Sequence, residues 1–181
     1  MFEIKREKMK NKLLYIGVIC IIFTINFNLV RADFTAKVQR VVDGDTVHVV
    51  DKNGNRFKVR LTGIDAPEQN QAYGLASKDQ LKKIIFNRWV FLESKPRKGM
   101  PYTLDRYKRV LAKIILNGND INLMQIANGY AWHFKRYQKQ QTPSDRMAYD
   151  QAEKNAKRNQ LGLWDEKKPI EPWKWRKMNK Y

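Results

Sequence analysis

Between Ala36 and Leu61 the apolar residues recur at strand spacing rather than helix spacing, and turn residues cut the run twice. Val38, Val41, Val42, Val47, Val49 and Val50 are β-branched, and the cluster Asp43-Gly44-Asp45 interrupts them. Lys52 to Asn55 then contains Asn53-Gly54, a strong hairpin signal because both residues tolerate the positive φ of a tight turn. Phe57, Val59 and Leu61 alternate with Arg56, Lys58 and Arg60. Consecutive antiparallel strands follow from this pattern, at about three.

Helical spacing appears next. From about Gln69 to Phe86 there is no proline, and Ala72, Leu75, Leu81, Ile84 and Ile85 are expected on one helical face. Trp89, Phe91 and Glu93 begin a further strand, and Arg109 to Leu116 forms another. Asn117 to Asp120 is a turn, Ile121 onward reads as a short helix stopped near Gly129, and Ala148, Ala152 and Ala156 mark a charged helix ending near Leu161-Gly162. The expected fold class is α+β: a partly open, five-stranded barrel of the OB type capped by about three helices. The tail from Lys167, rich in Pro, Trp and Lys, is expected to be a strap on the surface rather than a second domain.

The N-terminus reads differently. Lys5, Arg6, Lys8, Lys10 and Lys12 precede an uncharged run from Leu13 to Val30, and Val30 and Ala32 fit the small-residue pattern before a cleavage site. Residues 1–32 are therefore expected to be a signal peptide, with Met1 or Met9 as the start, and residues 33–181 the working domain. A retained membrane anchor is the alternative, weakened by Asn26 and Asn28 inside the run. Cys20, the single cysteine, would leave with that segment, so the mature chain has no disulfide, thiol nucleophile or cysteine-bound metal. The location expected is secreted or periplasmic, with no membrane association in the mature form.

The whole chain carries 36 basic and 18 acidic residues, a net charge of +18. Residues 1–32 hold six of the basic and two of the acidic ones, leaving 30 against 16 and a net +14. Such an excess favours polyanionic partners, nucleic acid or anionic membrane surfaces, without choosing between them.

Against this basic background stand four clustered carboxylates, Asp43, Asp45, Asp65 and Glu68. They fall at the turn after the first strand and at the end of the third, two points an antiparallel hairpin can bring side by side. Hard oxygen donors of this kind suit calcium, magnesium or manganese rather than zinc. Alone, each tetrapeptide is an ordinary polar turn; Arg60, on the strand leading to Asp65, gives the cluster a guanidinium on the same scaffold. Arg109 opens the last strand after Asp105-Arg106-Tyr107-Lys108. Guanidinium groups match the equatorial oxygens of a phosphoryl group better than lysine does. His48 and His133 are the two histidines, too few for a nuclease combining a histidine base with histidine metal ligands. His133 and the tryptophans Trp132, Trp164, Trp173 and Trp175, with Phe134, are expected to pack.

The runs VDGDTVHV (Val42 to Val49), VRLTGIDAPE (Val59 to Glu68) and DRYKRVLAKI (Asp105 to Ile114) resemble the staphylococcal nuclease, or thermonuclease, family. NGYAWHFKRY (Asn128 to Tyr137), GLW and PWKWRK resemble its bacterial secreted branch, so the resemblance spans roughly Ala36 to Lys177. It implies a nuclease that binds one calcium ion through Asp45, Asp65 and the backbone carbonyl of Ala66. Glu68 matches the glutamate that positions or deprotonates the attacking water, and Arg60 and Arg109 match the phosphate-clamping arginines. Cleavage of DNA and RNA with little sequence preference, leaving 3'-phosphate ends, is implied likewise. Tyr107 and Tyr137 are candidates for substrate contact, together with Lys108 and Lys135. Lys108 stands where the family has glycine, and Lys135 replaces a base-stacking tyrosine.

No obligate protein partner is expected, and a monomer is. A non-catalytic OB-fold module that holds single strands in its positive groove is the rival reading.

Overall fold

A computed structural model of the protein describes residues 34–97 and 99–179. The expected signal peptide, its cleavage site and Cys20 lie outside those residues. Among the described residues no helix is long and apolar enough to cross a membrane.

The alternation seen in the sequence becomes the wall of a barrel. Strands β1 (Phe34–Val41), β2 (Thr46–Asp51) and β3 (Arg56–Leu61) form an antiparallel meander, with Val47 opposite Val59 and Val38 opposite Val49. A register shift between Val38 and Arg40 bulges β1, which sharpens the twist a small barrel needs. A two-residue strand, β4 (Ile64–Asp65), follows. Helix α1 (Gly74–Ile85) then leads to β5 (Trp89–Glu93), which pairs antiparallel with β1 and with β6 (Val110–Leu116). The parallel pairing of β3 with β6, Arg60 beside Leu111, closes the ring β1-β2-β3-β6-β5. The barrel is thus closed rather than partly open, and β3 and β6 have no free edge against each other. Its interior is filled by inward residues from every strand, among them Val38, Val49, Leu61, Leu92, Ala112 and Ile114.

Asn117 and Gly118 both adopt positive φ, so the expected turn is the tip of a hairpin that returns as β7 (Asn119–Asp120). Asp120 caps helix α2 (Ile121–Ala127) by accepting the Leu123 amide at 2.9 Å. The chain continues through β8 (Trp132–His133), paired with β4, to a 3-10 helix (Lys135–Gln140) and helix α3 (Pro143–Arg158). A second 3-10 turn (Gly162–Asp165) precedes helix α4 (Pro172–Met178).

Several expectations need correction. The first helix begins at Gly74, not near Gln69, because residues 69–73 turn back over Glu68. Its buried face is Gly74, Ser77, Leu81 and Ile85; Leu75 is 57% exposed, and Ala72 is exposed ahead of the helix. In α3 the inward face is Tyr149, Ala152, Glu153 and Ala156, and Ala148 points to solvent. The tail is not a plain strap: it ends in α4, a fourth α-helix of the described residues.

Two buried amides fasten α2 to the barrel. Asn122 donates to the carbonyls of Thr62 (3.0 Å) and Ala112 (3.3 Å) and accepts the Ile114 amide. Gln125 donates to the carbonyls of Gly44 (3.0 Å) and Ser77 (3.2 Å). The Asp43-Gly44-Asp45 turn is thereby pressed against α1 and α2. A side chain at Gly44 has no room, since its Cβ would stand 1.8 Å from Ser77 Oγ and 2.7 Å from Ala66 Cβ. Gly44→Ala is expected to lower stability by about 2 kcal/mol in urea unfolding, the scale of overpacking a filled core; an unchanged midpoint would show the turn to be free to move.

Candidate active site

The site grows from the two chain segments that the meander brings together. At the first, Asp43 Oδ1 accepts the Asp45 amide at 2.9 Å and fixes the turn. The Asp45 carbonyl accepts from the Leu61 amide at 2.8 Å, tying that turn to the end of β3. At the second, the Ala66 amide donates back to Asp45 Oδ2 at 2.8 Å, and Thr46 Oγ1 lies 3.0 Å from Asp45 Oδ1. Asp45, Asp65 and Ala66 therefore belong to one buried cluster, with Asp65 0% exposed.

Arg60 holds the cluster together. Its Nη2 lies 2.9 Å from Asp45 and 2.9 Å from Asp65, while Nη1 donates to the carbonyls of Leu61 (2.8 Å) and Ile64 (3.0 Å). The carbonyl bonds aim the guanidinium; the carboxylates receive its free face. Glu68 is reached through a different group. Arg176, on α4, donates to both oxygens of Asp65 (3.2 and 2.7 Å) and to Glu68 Oε1 at 2.6 Å. Sequence reasoning missed Arg176 altogether. The only signal was an arginine set among the tryptophans of an otherwise surface-like tail, and nothing local says where that tail returns.

Gln71 orders the Glu68 loop as well. Its Oε1 accepts the Glu68 amide (3.1 Å) and its Nε2 donates to the Ile170 carbonyl (2.6 Å), linking the loop to the segment before α4. Gly74 sits so close beneath that a Cβ would stand 1.8 Å from the Glu68 carbonyl oxygen.

Arg109 forms a second cluster. Asp105 Oδ1 accepts the amides of Tyr107 (2.8 Å) and Arg109 (2.9 Å), and its Oδ2 pairs with the Arg109 guanidinium at 2.8 Å from both Nε and Nη2. The Arg109 guanidinium also lies 5.4 Å from the centroid of Tyr107, an exposed ring. The β3–β6 pairing sets Val110 beside Val59, so Arg60 on β3 and Arg109, the loop residue that leads into β6, each lie one residue from that pair. Lys108 adopts φ 60°, so the left-handed backbone that suits glycine is kept with a lysine in place.

The remaining expected substrate contacts lie on the far segment. Tyr137 is half exposed and packs its ring edge-on to Phe134. Lys135 is turned toward α3, 2.5 Å from Asp150 and 3.8 Å from Glu153, and lines a cavity of about 430 Å³ with Trp132, Phe134, Lys157 and Trp173. No carboxylate of the Asp45–Glu68 cluster borders that cavity. His133 is buried, with Nε2 3.0 Å from Gln141 Oε1, and Trp132, Trp164 and Trp173 pack on one another.

Electrostatically the site is a desolvated acidic knot with positive charge drawn into it. Burial, then the neighbouring Asp45 carboxylate, push Asp43 up from 3.8 to about 7. Burial is also the largest influence on Asp65 and raises it, opposed by the hydrogen bonds of Arg176 and the charge of Arg60. Burial disfavours the charged Arg176, but its bonds to Asp65 and Glu68 outweigh this and hold the guanidinium above its ordinary value.

The donors fit a hard divalent cation: carboxylate oxygens converge, and guanidinium groups already stand against them as positive charge. Among the described residues no three acidic, histidine or cysteine side chains form a ready-made metal group, so a cation here needs backbone oxygen and water besides Asp45 and Asp65.

With the geometry in hand, comparison with known proteins is specific. Residues 58–166 match the family model described as "Staphylococcal nuclease homologue". That span holds Arg60, Asp65, Ala66, Glu68, Arg109 and Tyr137; Asp45 precedes it and Arg176 follows it. An "Uncharacterized endonuclease" of Haemophilus influenzae is 37% identical over 172 residues, 95% of this chain and 89% of that protein. A "Micrococcal nuclease" of Shigella flexneri is 35% identical over 158 residues, 82% of this chain and 84% of that protein. An "Uncharacterized endonuclease" of Escherichia coli is 30% identical over 157 residues, covering 86% and 94%.

Two outcomes follow for the metal-free protein. The folded-state value of Asp43 lies above its unfolded value of 3.8, so the stability it contributes at low pH is lost as pH rises through about 7. Asp43→Asn, which stays neutral, should therefore match the parent near pH 4 and exceed it at pH 8 by on the order of 2 kcal/mol in urea unfolding with chelator present. A constant difference across that range would contradict the buried-carboxyl account. Lys108→Gly should gain about 0.5–1 kcal/mol by relieving the left-handed backbone; a loss of stability would mean the lysine side chain does more than the strain costs.

Proposed function

Since this chain belongs to the staphylococcal nuclease family, and so is a nuclease, we propose that it is a secreted, calcium-dependent endonuclease that hydrolyses DNA and RNA with little sequence preference. The observation that carries the reading is the meeting of Asp45, Arg60, Asp65, Ala66 and Glu68 around one buried knot from two distant turns. A purely structural turn needs no such convergence of carboxylates, because burying them costs free energy that the ion pairs with Arg60 and Arg176 have to offset.

In this reading Asp45, Asp65 and the Ala66 carbonyl hold one calcium ion, which supplies positive charge to the scissile phosphate when bound. Glu68 orients a water for in-line attack on phosphorus and accepts its proton. Arg60, aimed by the Leu61 and Ile64 carbonyls, would turn its Nη2 from the Asp45 and Asp65 carboxylates to the phosphate oxygens once a cation holds those carboxylates. Arg109, held by Asp105 through its Nε and Nη2, joins it from the loop that leads into the neighbouring strand as charge develops in the transition state. The product carries a 3'-phosphate. Tyr107 and Tyr137, both exposed, are the ring surfaces a nucleotide would meet. Lys135 is engaged with α3 and contributes charge rather than stacking.

The net charge of +14 left once residues 1–32 are removed concentrates polyanions around the molecule and speeds encounter without selecting sequence. Export rests on the basic, then uncharged, N-terminal pattern.

The test is direct. The protein incubated with DNA or RNA should cleave both with calcium and neither with excess chelator. Arg60→Ala and Arg109→Ala should each slow cleavage about 10²-fold or more while still binding nucleic acid; Arg109→Ala should unfold as the parent does, whereas Arg60→Ala, which strips buried Asp45 and Asp65 of their shared guanidinium, should also lose stability. Binding without cleavage under every condition would instead support the non-catalytic OB module.

A further inference from the structure

Arg176 lies outside the family match and outside every role assigned so far, yet its guanidinium bridges two carboxylates of the site. It reaches both oxygens of fully buried Asp65, at 3.2 and 2.7 Å, and Glu68 at 2.6 Å. Asp65 Oδ1 meanwhile accepts a second bond, from Arg60 Nη2. Both oxygens of Asp65 are thus covered by guanidinium groups. Three of the roughly four lone-pair positions of that carboxylate are filled, so a divalent cation that is to touch Asp65 competes with the guanidinium groups for it. Arg60 is tied by two backbone carbonyls as well as by the carboxylates. Among the described residues Arg176 bonds only Asp65 and Glu68 at the site, and it sits on α4, whose last turn runs out into exposed Met178.

The way α4 is held supports such an exchange. The helix is anchored at its start, by buried Pro172, by Trp173 packed on Trp132 and Phe134, and by the Gln71 bond to Ile170. Arg176 comes one turn later and is a third exposed. Its side chain can leave the carboxylates while the aromatic anchor stays in place.

We propose that Arg176 is a built-in competitor for the divalent cation at Asp65: an intramolecular counter-cation that keeps the metal-free site neutralised and weakens metal affinity until the ion displaces it. This rests on the reading that the Asp45–Asp65 cluster binds a divalent cation. The physical reason is mass action. A ligand that must first release an internal partner binds more weakly by the factor with which that partner is held. Hydrogen bonds between charged groups are the strong ones, so that factor is expected at about tenfold or more.

The experiment is calorimetric titration of calcium into the full chain, without nucleic acid, for the parent, Arg176→Gln, Arg176→Lys and Trp173→Ala. Arg176→Gln should bind calcium about tenfold or more tightly than the parent. Arg176→Lys, which keeps the charge but loses the bidentate fork, should fall between. Trp173→Ala loosens the helix without touching the arginine and should tighten binding in the same direction. A second readout guards against misfolding: without calcium Arg176→Gln should unfold at a lower temperature than the parent, and the gap should close as calcium is added. Equal or weaker calcium affinity in Arg176→Gln overturns the proposal while leaving the metal reading intact. Absence of calcium binding in the parent and every variant overturns both.

Discussion

The bond from Arg60 to two aspartates is the interaction on which the site and much of the local fold depend. Asp45 and Asp65 come from opposite ends of the meander, and both are buried. Two desolvated carboxylates in contact would repel and would favour neutral forms. A single guanidinium nitrogen lying 2.9 Å from each makes their burial tolerable. The backbone bonds on its other nitrogen mean that the arginine cannot swing away without giving up two carbonyls. The turn after β1, the end of β3 and the loop through Ala66 are therefore one electrostatic unit.

Around this unit the rest of the chain supplies rigidity from behind and charge from outside. Buried Gln125 and Asn122 on α2 hold the backbone of the turn and of Thr62, so the carboxylates stand on packed elements rather than on a free loop. The surface is strongly basic while the centre of the site is acidic. A polyanion is attracted by the first and would be repelled by the second unless cations fill it. Arg60 and Arg176 fill it in the metal-free protein. The charge logic that draws nucleic acid to the molecule thus requires positive charge at its centre, and this supports the proposal of a metal-dependent nuclease site.

Much of this was legible in the sequence, for reasons that are local. Period-two alternation in Phe57 to Leu61 and the Asn53-Gly54 turn fix a hairpin without reference to the rest of the chain, and the motif spacing places Asp45, Arg60 and Asp65 on its two ends. What was not legible is nonlocal. The parallel pairing of Val59 with Val110 closes the barrel between strands far apart in sequence, and no local pattern records it. Leu75 was misplaced because its spacing fits a helical face, whereas the inward face is set by Ser77 meeting the Tyr130 carbonyl and Gln125. Lys108 shows the limit of residue-type arguments in the other direction. The left-handed backbone is retained without glycine because the amides of Tyr107 and Arg109 are both held by Asp105. Arg176 was invisible because its partners are more than a hundred residues away.

The central claim is that the Asp45–Asp65 knot is a single divalent-cation site. A crystal structure of the protein soaked in calcium, with anomalous data collected to locate the ion, tests it most directly. The account predicts one strong peak bound by the Asp45 and Asp65 carboxylates and the Ala66 carbonyl, at calcium–oxygen distances of about 2.3–2.6 Å. A peak elsewhere on the protein, or none with Arg60 and Arg176 still seated on Asp65 at saturating calcium, would contradict it.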